Sequence, residues 1–256
     1  MSDRTNITLL IEPGADLETT ERLREKFPEV NPASDLTLKL DGDGLSLHSD
    51  GQVLKGDFSR MLHRLKGGLS KELLVRAAKI KGAEEPLTVL DATAGLGEDS
   101  FLLAAAGFRV TLYERNPVIY ELLRDALRRA AQEQELAEIV GRMELICADS
   151  IQAMKHLETA PDIILLDPMF PERQKSALVK KKLQMIQKLE IPCTDETELM
   201  MSAMSAGPKR LVIKRPPKGP YLAGFKPDYS IQGKAVRFDC IASPADKVGK
   251  LKLGGK

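Results

Sequence analysis

The sequence predicts an α/β fold, a mostly parallel sheet with helices on both faces, preceded by a small α+β unit. Three observations predict it. From Leu87 onward, short aliphatic runs alternate with helical stretches, the pattern of a parallel sheet covered by helices on both sides. Acidic residues recur where those runs end, at Asp91, Glu114, Asp149 and Asp167. Before Leu87 the apolar spacing becomes a two-residue alternation around the turn Asp41-Gly42-Asp43-Gly44, which signals a hairpin.

The elements follow in order. Residues 6–11, NITLLI, read as a strand, and Leu17 to Lys26 as a helix stopped near Pro28. Leu36, Leu38 and Leu40 share one strand face, Leu45 and Leu47 continue it after the turn, and Val53 to Phe58 read as another strand. A basic stretch, SRMLHRLKGG over 59–68, leads into a helix from Ser70 to Lys81. Leu87 to Asp91 is the first main strand, and Asp99 to Ala106 the first main helix. Phe108 to Tyr113 is the second strand. Pro117 opens a long helix to about Glu138, at the one helical position where proline loses nothing. Arg124, Arg128 and Arg129 on that helix read as a solvated face. Met143 to Cys147, Ile163 to Leu166, Arg210 to Lys214 and Val236 to Ile241 are further strands. Helices are expected at Ile151 to Leu157, around Met185 and Ile186, and from Thr194 to Ala206. The division expected is 1–60 for the small domain, 61–86 for a linking helical region, 87–245 for the large domain and 246–256 for a flexible tail.

Composition excludes several classes. With 43% hydrophobic and 29% charged residues the chain reads as globular and soluble, and with just seven Phe, four Tyr and no Trp its core is aliphatic. The net charge of +1 means that any polyanion-binding surface is a local patch. Cys147, Cys193 and Cys240 have no metal-ligand spacing. The first and last of them read as reduced core residues of a cytoplasmic protein. No signal segment and no membrane-length apolar run is present, so no membrane partner is expected. No His/Cys/Asp set suggests a metal, and a monomer is expected. His48, His63 and His156 need no special role.

The stretch LTVLDATAGLG, Leu87 to Gly97, carries the first chemical signal. A strand ends on Asp91 and turns at once through Gly95 and Gly97 into a helix, where backbone amides suit a polar ligand. Ser100 stands where a dinucleotide fingerprint needs its third glycine, and no phosphate-binding lysine follows. The pattern resembles the first motif of S-adenosylmethionine-dependent methyltransferases. In an open parallel sheet the ligand lies across the carboxyl ends of the strands, where the four acids fall. Glu114 can accept from both ribose hydroxyls, Asp149 from the adenine amine, and Asp91 and Asp99 can attract the ammonium of the methionine portion. The Gly67-Gly68-Leu69-Ser70 turn can meet its carboxylate.

Asp167-Pro168-Met169-Phe170 carries the second signal. An exocyclic base amine is a poor nucleophile, because its lone pair is delocalised into the ring. Asp167 and the Pro168 carbonyl can accept its hydrogens and aim the nitrogen, and Phe170 can stack on the base. A basic run follows, with Arg173, Lys175, Lys180, Lys181 and Lys182, and a second set surrounds the fifth strand with Lys214 and Arg215. Arg60, Arg64 and Lys66 form a third cluster. Contacts to RNA phosphates would account for all of these, and a solvated helix face would also account for the first.

The residues alone thus reach amino methylation of a base in a polyanion. Methylation of adenine-N6 or of a protein amide stays open, as does a non-catalytic RNA- or ribosome-binding role. A nicotinamide oxidoreductase is disfavoured by the glycine spacing.

Longer motifs add to this: DATAGLGED at 91–99, ERNP at 114–117, LDPMFPERQKSALVKKK at 166–182, VIKRP at 212–216 and RFDCIAS at 237–243. With them the chain resembles the RsmJ family of 16S ribosomal RNA guanine-N2 methyltransferases over most of its length. The resemblance implies a class I methyltransferase (Rossmann-like) fold with a seven-stranded sheet. It also implies S-adenosylmethionine as cofactor and 16S rRNA or the small ribosomal subunit as partner. It places cofactor contacts on Glu98 and Asp99, Glu114 and Arg115, Asp149 and Ser150, and Asp167.

Overall fold

The computed structural model describes residues 7–27, 34–168, 185, 189 and 196–247. The chain opens with β1 (Thr8–Ile11), α1 (Leu17–Lys26), β2 (Thr37–Asp41), β3 (Gly44–Ser49) and β4 (Gln52–Leu54). These strands form a four-stranded sheet in the order β1-β2-β3-β4. Asp16 caps α1 by accepting from the Thr19 amide at 2.9 Å. Leu38, Leu40, Leu45 and Leu47 are fully buried on one face, as the two-residue alternation requires.

After a 3-10 turn at Ser59–Met61, α2 (Leu62–Lys66), a second such turn at Leu69–Lys71 and α3 (Leu73–Ala78) lead to the main sheet. The helix expected from Ser70 to Lys81 is therefore shorter. Its chain is extended at Glu72, whose carboxylate is held by Arg64. The rest comprises β5 (Thr88–Asp91), α4 (Glu98–Ala105), β6 (Arg109–Glu114), α5 (Pro117–Ala130), α6 (Gln134–Val140), β7 (Met143–Cys147), α7 (Ser150–Met154) and β8 (Ile163–Leu166). Then come α8 (Glu196–Ser205), β9 (Arg210–Arg215), a 3-10 turn at Leu222–Gly224, β10 (Tyr229–Gln232) and β11 (Arg237–Ala242).

The main sheet has seven strands in the order β10-β11-β9-β8-β5-β6-β7. β7, β6, β5, β8 and β9 pair in parallel, whereas β11 runs antiparallel to both of its neighbours. Central β8 is buried along its whole length, which is why it reads as an unbroken aliphatic run. One apolar cluster includes Phe101, Leu102 and Leu103 of α4. The other side of the sheet is covered by α8, with Leu199, Met200 and Met204.

Three local expectations are corrected. The long helix breaks at Glu133, which is extended, so that α6 can turn Leu136 and Val140 into the core against α4. β10 was not foreseen, because this edge strand is mostly exposed and lacks alternation. Cys147 is exposed at the end of edge strand β7, and only Cys240 is a core residue. Cys193, Ile186 and the tail from residue 248 lie outside the described residues.

The two sheets share α5. Val118, Ile119 and Leu122 pack in one cluster with the leucines of β2 and β3. Arg22 and Lys26 of α1 reach the buried Glu121 carboxylate at 3.1 and 2.6 Å. Buried Asp125 accepts the Leu45 amide at 2.9 Å and pairs with Arg128 at 3.0 Å and Arg129 at 2.8 Å. Arg129 also donates to the Gly56 carbonyl. Arg128 and Arg129 are therefore not simply a solvated face: they neutralise an acid buried under the hairpin. Gly44 is required there, since a Cβ would lie 2.6 Å from the Asp125 carboxylate. No helix among the described residues is long and apolar enough to cross a membrane.

Replacing Asp125 by Ala removes three contacts and leaves the Leu45 amide buried without its acceptor. Urea unfolding should show a loss of about 2–4 kcal/mol. A change below about 0.5 kcal/mol, the range of an ordinary surface substitution, would contradict this account of the junction.

Candidate active site

The carboxyl ends of β5, β6 and β8 meet around the glycine turn. Asp91 ends β5 and is buried, with one oxygen accepting the Thr93 amide at 3.0 Å and the other the Ser100 hydroxyl at 2.6 Å. The Thr93 hydroxyl in turn accepts the Asp167 amide at 2.7 Å, which ties the end of β5 to the end of β8. Glu114, also buried, accepts the Gly95 amide at 3.0 Å and the Asn116 amide at 2.7 Å. The turn is thus fixed from both sides by carboxylates.

Gly95 and Gly97 both have positive φ, 55° and 74°. Their surroundings differ. A Cβ on Gly97 would press on Leu123 at 2.8 Å, so this glycine serves packing. A Cβ on Gly95 would meet nothing within 4 Å, so the turn presents open space there. Glu98 is exposed at the first position of α4. Arg115 is exposed just after β6, Asp149 caps α7 through the Ile151 amide at 2.8 Å, and Ser150 is buried at its start.

Among the described residues, Lys214 sits among the acids. Lys214 Nζ lies 2.5 Å from Asp99 Oδ2 and 2.9 Å from Asp167 Oδ2. Burial opposes its charge, but Asp99 and Asp167 outweigh this and raise its pKa. Burial pushes Asp91 up to about 7, against the hydrogen bonds from Ser100 and Thr93, with Asp99 and Asp167 adding repulsion. Asp167 keeps 40% of its side-chain surface accessible, yet the protein around it removes enough water to raise its pKa. Lys214 opposes that rise, Asp99 adds to it, and Arg215 opposes it more weakly.

The expected RNA-binding residues are dispersed. Arg60 is exposed and pairs with Asp57 at 3.0 Å, and Arg64 forks onto Glu72 at 3.2 and 2.7 Å. Lys66 is exposed. Two expectations change. Lys214 is engaged by Asp99 and Asp167 within the site, and Arg215 is buried, donating to the Pro220 carbonyl at 2.8 Å. Neither offers a surface cation to a phosphate. Phe170, Arg173, Lys175, Lys180, Lys181 and Lys182 lie outside the described residues. Sequence reasoning missed the structural roles of Thr93 and Ser100. The Asp91-x-Thr93 spacing, a frequent side-chain-to-backbone turn, was the available signal for the first. Asn116 was also missed. It caps α5 by accepting from Val118 and Ile119, and it donates to the Leu189 carbonyl at 2.7 Å. Among the described residues no group of three or more His, Cys, Asp or Glu side chains is arranged to hold a metal ion.

Comparison with known proteins agrees with this geometry. The family model for SAM-dependent methyltransferases matches residues 22–243. The chain is 44% identical over 213 residues to the ribosomal RNA small subunit methyltransferase J of Thioalkalivibrio sulfidiphilus, covering 80% of this chain and 83% of that protein. It is 39% identical over 229 residues to the protein of the same name from Pseudomonas syringae pv. tomato, covering 86% and 85%. The crystal structure of a SAM-dependent methyltransferase from Neisseria gonorrhoeae is similar with a TM-score of 0.76 at 31% identity, covering 92% of this chain and 96% of that one. The chain belongs to the RsmJ family of class I SAM-dependent methyltransferases, on a Rossmann-like fold with a mixed sheet and flanking helices.

S-adenosylmethionine (SAM) is the cofactor of this family, and the residues present fit it. The open face of Gly95 leaves room for a ligand against the backbone, and an acidic rim suits a ligand with two positive centres.

Asp91 gives the site a pH signature. Its folded pKa, about 7, lies above the ordinary 3.8, so the native state holds the proton more tightly than the unfolded chain. The penalty for burying its charge is absent below the unfolded value, grows as pH rises, and is complete above about 7. Asp91→Asn lacks that penalty. Relative to this variant, the wild type should lose on the order of 2–4 kcal/mol between about pH 4 and pH 7 and nothing further above. Parallel stability curves in urea across that range would contradict the burial of an ionisable Asp91.

Proposed function

We propose that this protein transfers a methyl group from SAM to the exocyclic N2 amine of a guanosine in 16S ribosomal RNA. The observation that carries the reading is the seating of Asp167 and Pro168 at the end of β8, one strand from the glycine turn and tied to it through Thr93. The names of the relatives, ribosomal RNA small subunit methyltransferases, support the substrate class. The choice of guanine-N2 rests on the resemblance carried by the DPMFP and QKSALVKK motifs.

SAM supplies, when bound, a methyl group on a positive sulfur, which the amine nitrogen accepts as the carbon–sulfur bond breaks. The protein's own part is to hold and orient. Asp167 and the Pro168 carbonyl accept the amine hydrogens and direct the nitrogen, and Phe170 stacks on the base. Asp167 need not be a strong base, because the amine proton becomes acidic once nitrogen bonds carbon. Rate enhancement then comes from orientation and fixed electrostatics. Gly95, Glu98, Asp99, Arg115, Asp149 and Ser150 are proposed cofactor contacts, with Asp91 acting beneath them and Gly97 shaping the turn by its packing on Leu123. Glu114 combines ribose recognition with its hold on Gly95.

RNA phosphates are assigned to Arg60, Lys66 and the basic run from Arg173 to Lys182, with Arg64 contributing from its pair with Glu72. The seven-stranded sheet is read as the class I methyltransferase sheet, with β11 as its antiparallel strand. The chain divides into 1–60, 61–86, 87–245 and a tail from 246 in this reading, and acts as a cytoplasmic monomer that uses no metal.

Labelled methyl transfer onto unmodified small-subunit rRNA tests the reading. Asp167→Ala should lower turnover roughly a hundredfold or more, within the range of other losses of fixed polar groups at a reacting centre, while RNA affinity changes little. Normal turnover by that variant would remove Asp167 from its role. Replacing Lys180, Lys181 and Lys182 by Gln should weaken RNA binding and flatten the slope of log affinity against log salt by about 2. An unchanged slope would return that run to the solvated surface.

A further inference from the structure

We propose that Lys214 is a positioning residue for methyl transfer, bridging Asp99 on the cofactor side to Asp167 on the acceptor side and holding Asp167 ionised and aimed at the amine. The inference rests on the function proposed above and deepens it.

The geometry sets Lys214 apart from the other described basic residues. It stands on β9, beside β8, and its ammonium lies within 2.9 Å of carboxylates that come from two different elements. Asp99 lies in the first turn of α4, directly after the glycine turn. Asp167 follows β8 at the acceptor motif. One ammonium therefore joins the two halves of the site. Its side chain is 30% exposed and its charge is already shared between two acids, which disqualifies it as a surface phosphate contact.

The charge balance around Asp167 shows what the bridge does. Asp99 faces it from α4 and Asp91 from β5, both repelling a second negative charge. Lys214 and Arg215 face it from β9, and Lys214 is in direct contact. Desolvation and Asp99 favour a protonated Asp167, whereas the repulsion between Asp91 and Asp167 raises Asp91. A protonated carboxyl would present a hydroxyl where the base amine needs an acceptor. Lys214 opposes this and occupies Oδ2, leaving Oδ1 as the acceptor. Two substitutions should then act in opposite directions. Losing Lys214 leaves the repulsion on Asp167 opposed by the weaker pull of Arg215. Losing the charge of Asp99 removes a repelling acid and leaves Lys214 to Asp167 alone.

The test uses the full-length protein as wild type, Lys214→Met, Lys214→Arg and Asp99→Asn. Methyl transfer to unmodified small-subunit rRNA is followed at saturating SAM from about pH 5 to pH 9, where the profile of kcat reports groups in the bound complex. Lys214→Met should lower kcat at neutral pH about tenfold or more. The acid limb of its profile should move up by about one unit, the scale of a nearby opposite charge. KM for RNA and the salt slope of RNA binding should stay within about twofold, while Lys214→Arg restores the limb towards wild type. Asp99→Asn should move the limb down. An unmoved limb in Lys214→Met overturns the inference. So does RNA binding by Lys214→Met that is weaker and flatter with salt by about one unit of slope, which would make the lysine a phosphate contact. Should Lys214→Met fail to fold, Asp99→Asn decides alone, and a limb that stays or rises contradicts the bridge. If the wild type itself transfers no methyl to this RNA, the substrate reading fails separately. Titration of the Asp167 carboxyl by carbon NMR in wild type and Lys214→Arg, with Asp99→Asn lowering its midpoint, then still tests the bridge.

Discussion

The hydrogen bond from the Asp167 amide to the Thr93 hydroxyl fixes the relation between the two halves of the site. β5 and β8 lie side by side in parallel, with Val89, Leu90 and Asp91 opposite Ile163, Ile164 and Leu165. That register brings both strand ends to one rim, but it does not by itself orient the residues that leave the sheet there. Thr93 does so. Its amide is taken by Asp91 and its hydroxyl takes the amide of Asp167, so the glycine turn and the acceptor motif move as one piece. In-line transfer between two bound molecules needs that rigidity, since small misalignments cost large factors in rate.

The electrostatics follow from where the acids stop. Parallel strands ending at one edge concentrate carboxylates, and concentrated carboxylates repel. Two devices relieve this. Asp91 sinks beneath the turn, where burial lifts its pKa to about 7 and two donors hold its oxygens. Asp99 and Asp167 share the charge of Lys214. What remains is a rim that is acidic but not overloaded, suited to a ligand with positive centres and unsuited to a polyphosphate.

Much of this was legible in the sequence, for identifiable reasons. The central strands and the helix from Leu17 to Lys26 stood out, because their apolar periods and caps agree with where the tertiary structure puts them. The acids at the strand ends were legible because topology alone brings such ends together. The failures trace to tertiary surroundings that a local pattern does not carry. Lys214 read as a phosphate contact because its partners Asp99 and Asp167 lie far away in sequence, and Arg215 because nothing local shows that the chain folds back to bury it against the Pro220 carbonyl. Arg128 and Arg129 read as solvated because the hairpin over Asp125 was invisible from helix periodicity. Cys147 read as core because edge and centre of a sheet differ in neighbours, not in local pattern.

The N-terminal unit also belongs to this account. It does not sit apart from the site: Leu96 of the glycine turn packs in the same cluster as the leucines of β2 and β3, and Phe58 stacks on Phe101 of α4 at 5.0 Å. The turn is thus braced by the small sheet as well as by Glu114. One rim should hold both the cofactor and the acceptor motif, and a crystal structure with S-adenosylhomocysteine would show this. The nucleoside should lie along Glu114 and Asp149, with the sulfur over the glycine turn facing Asp167 and Pro168. Ligand density outside that rim, or a sulfur turned away from Asp167, would contradict it.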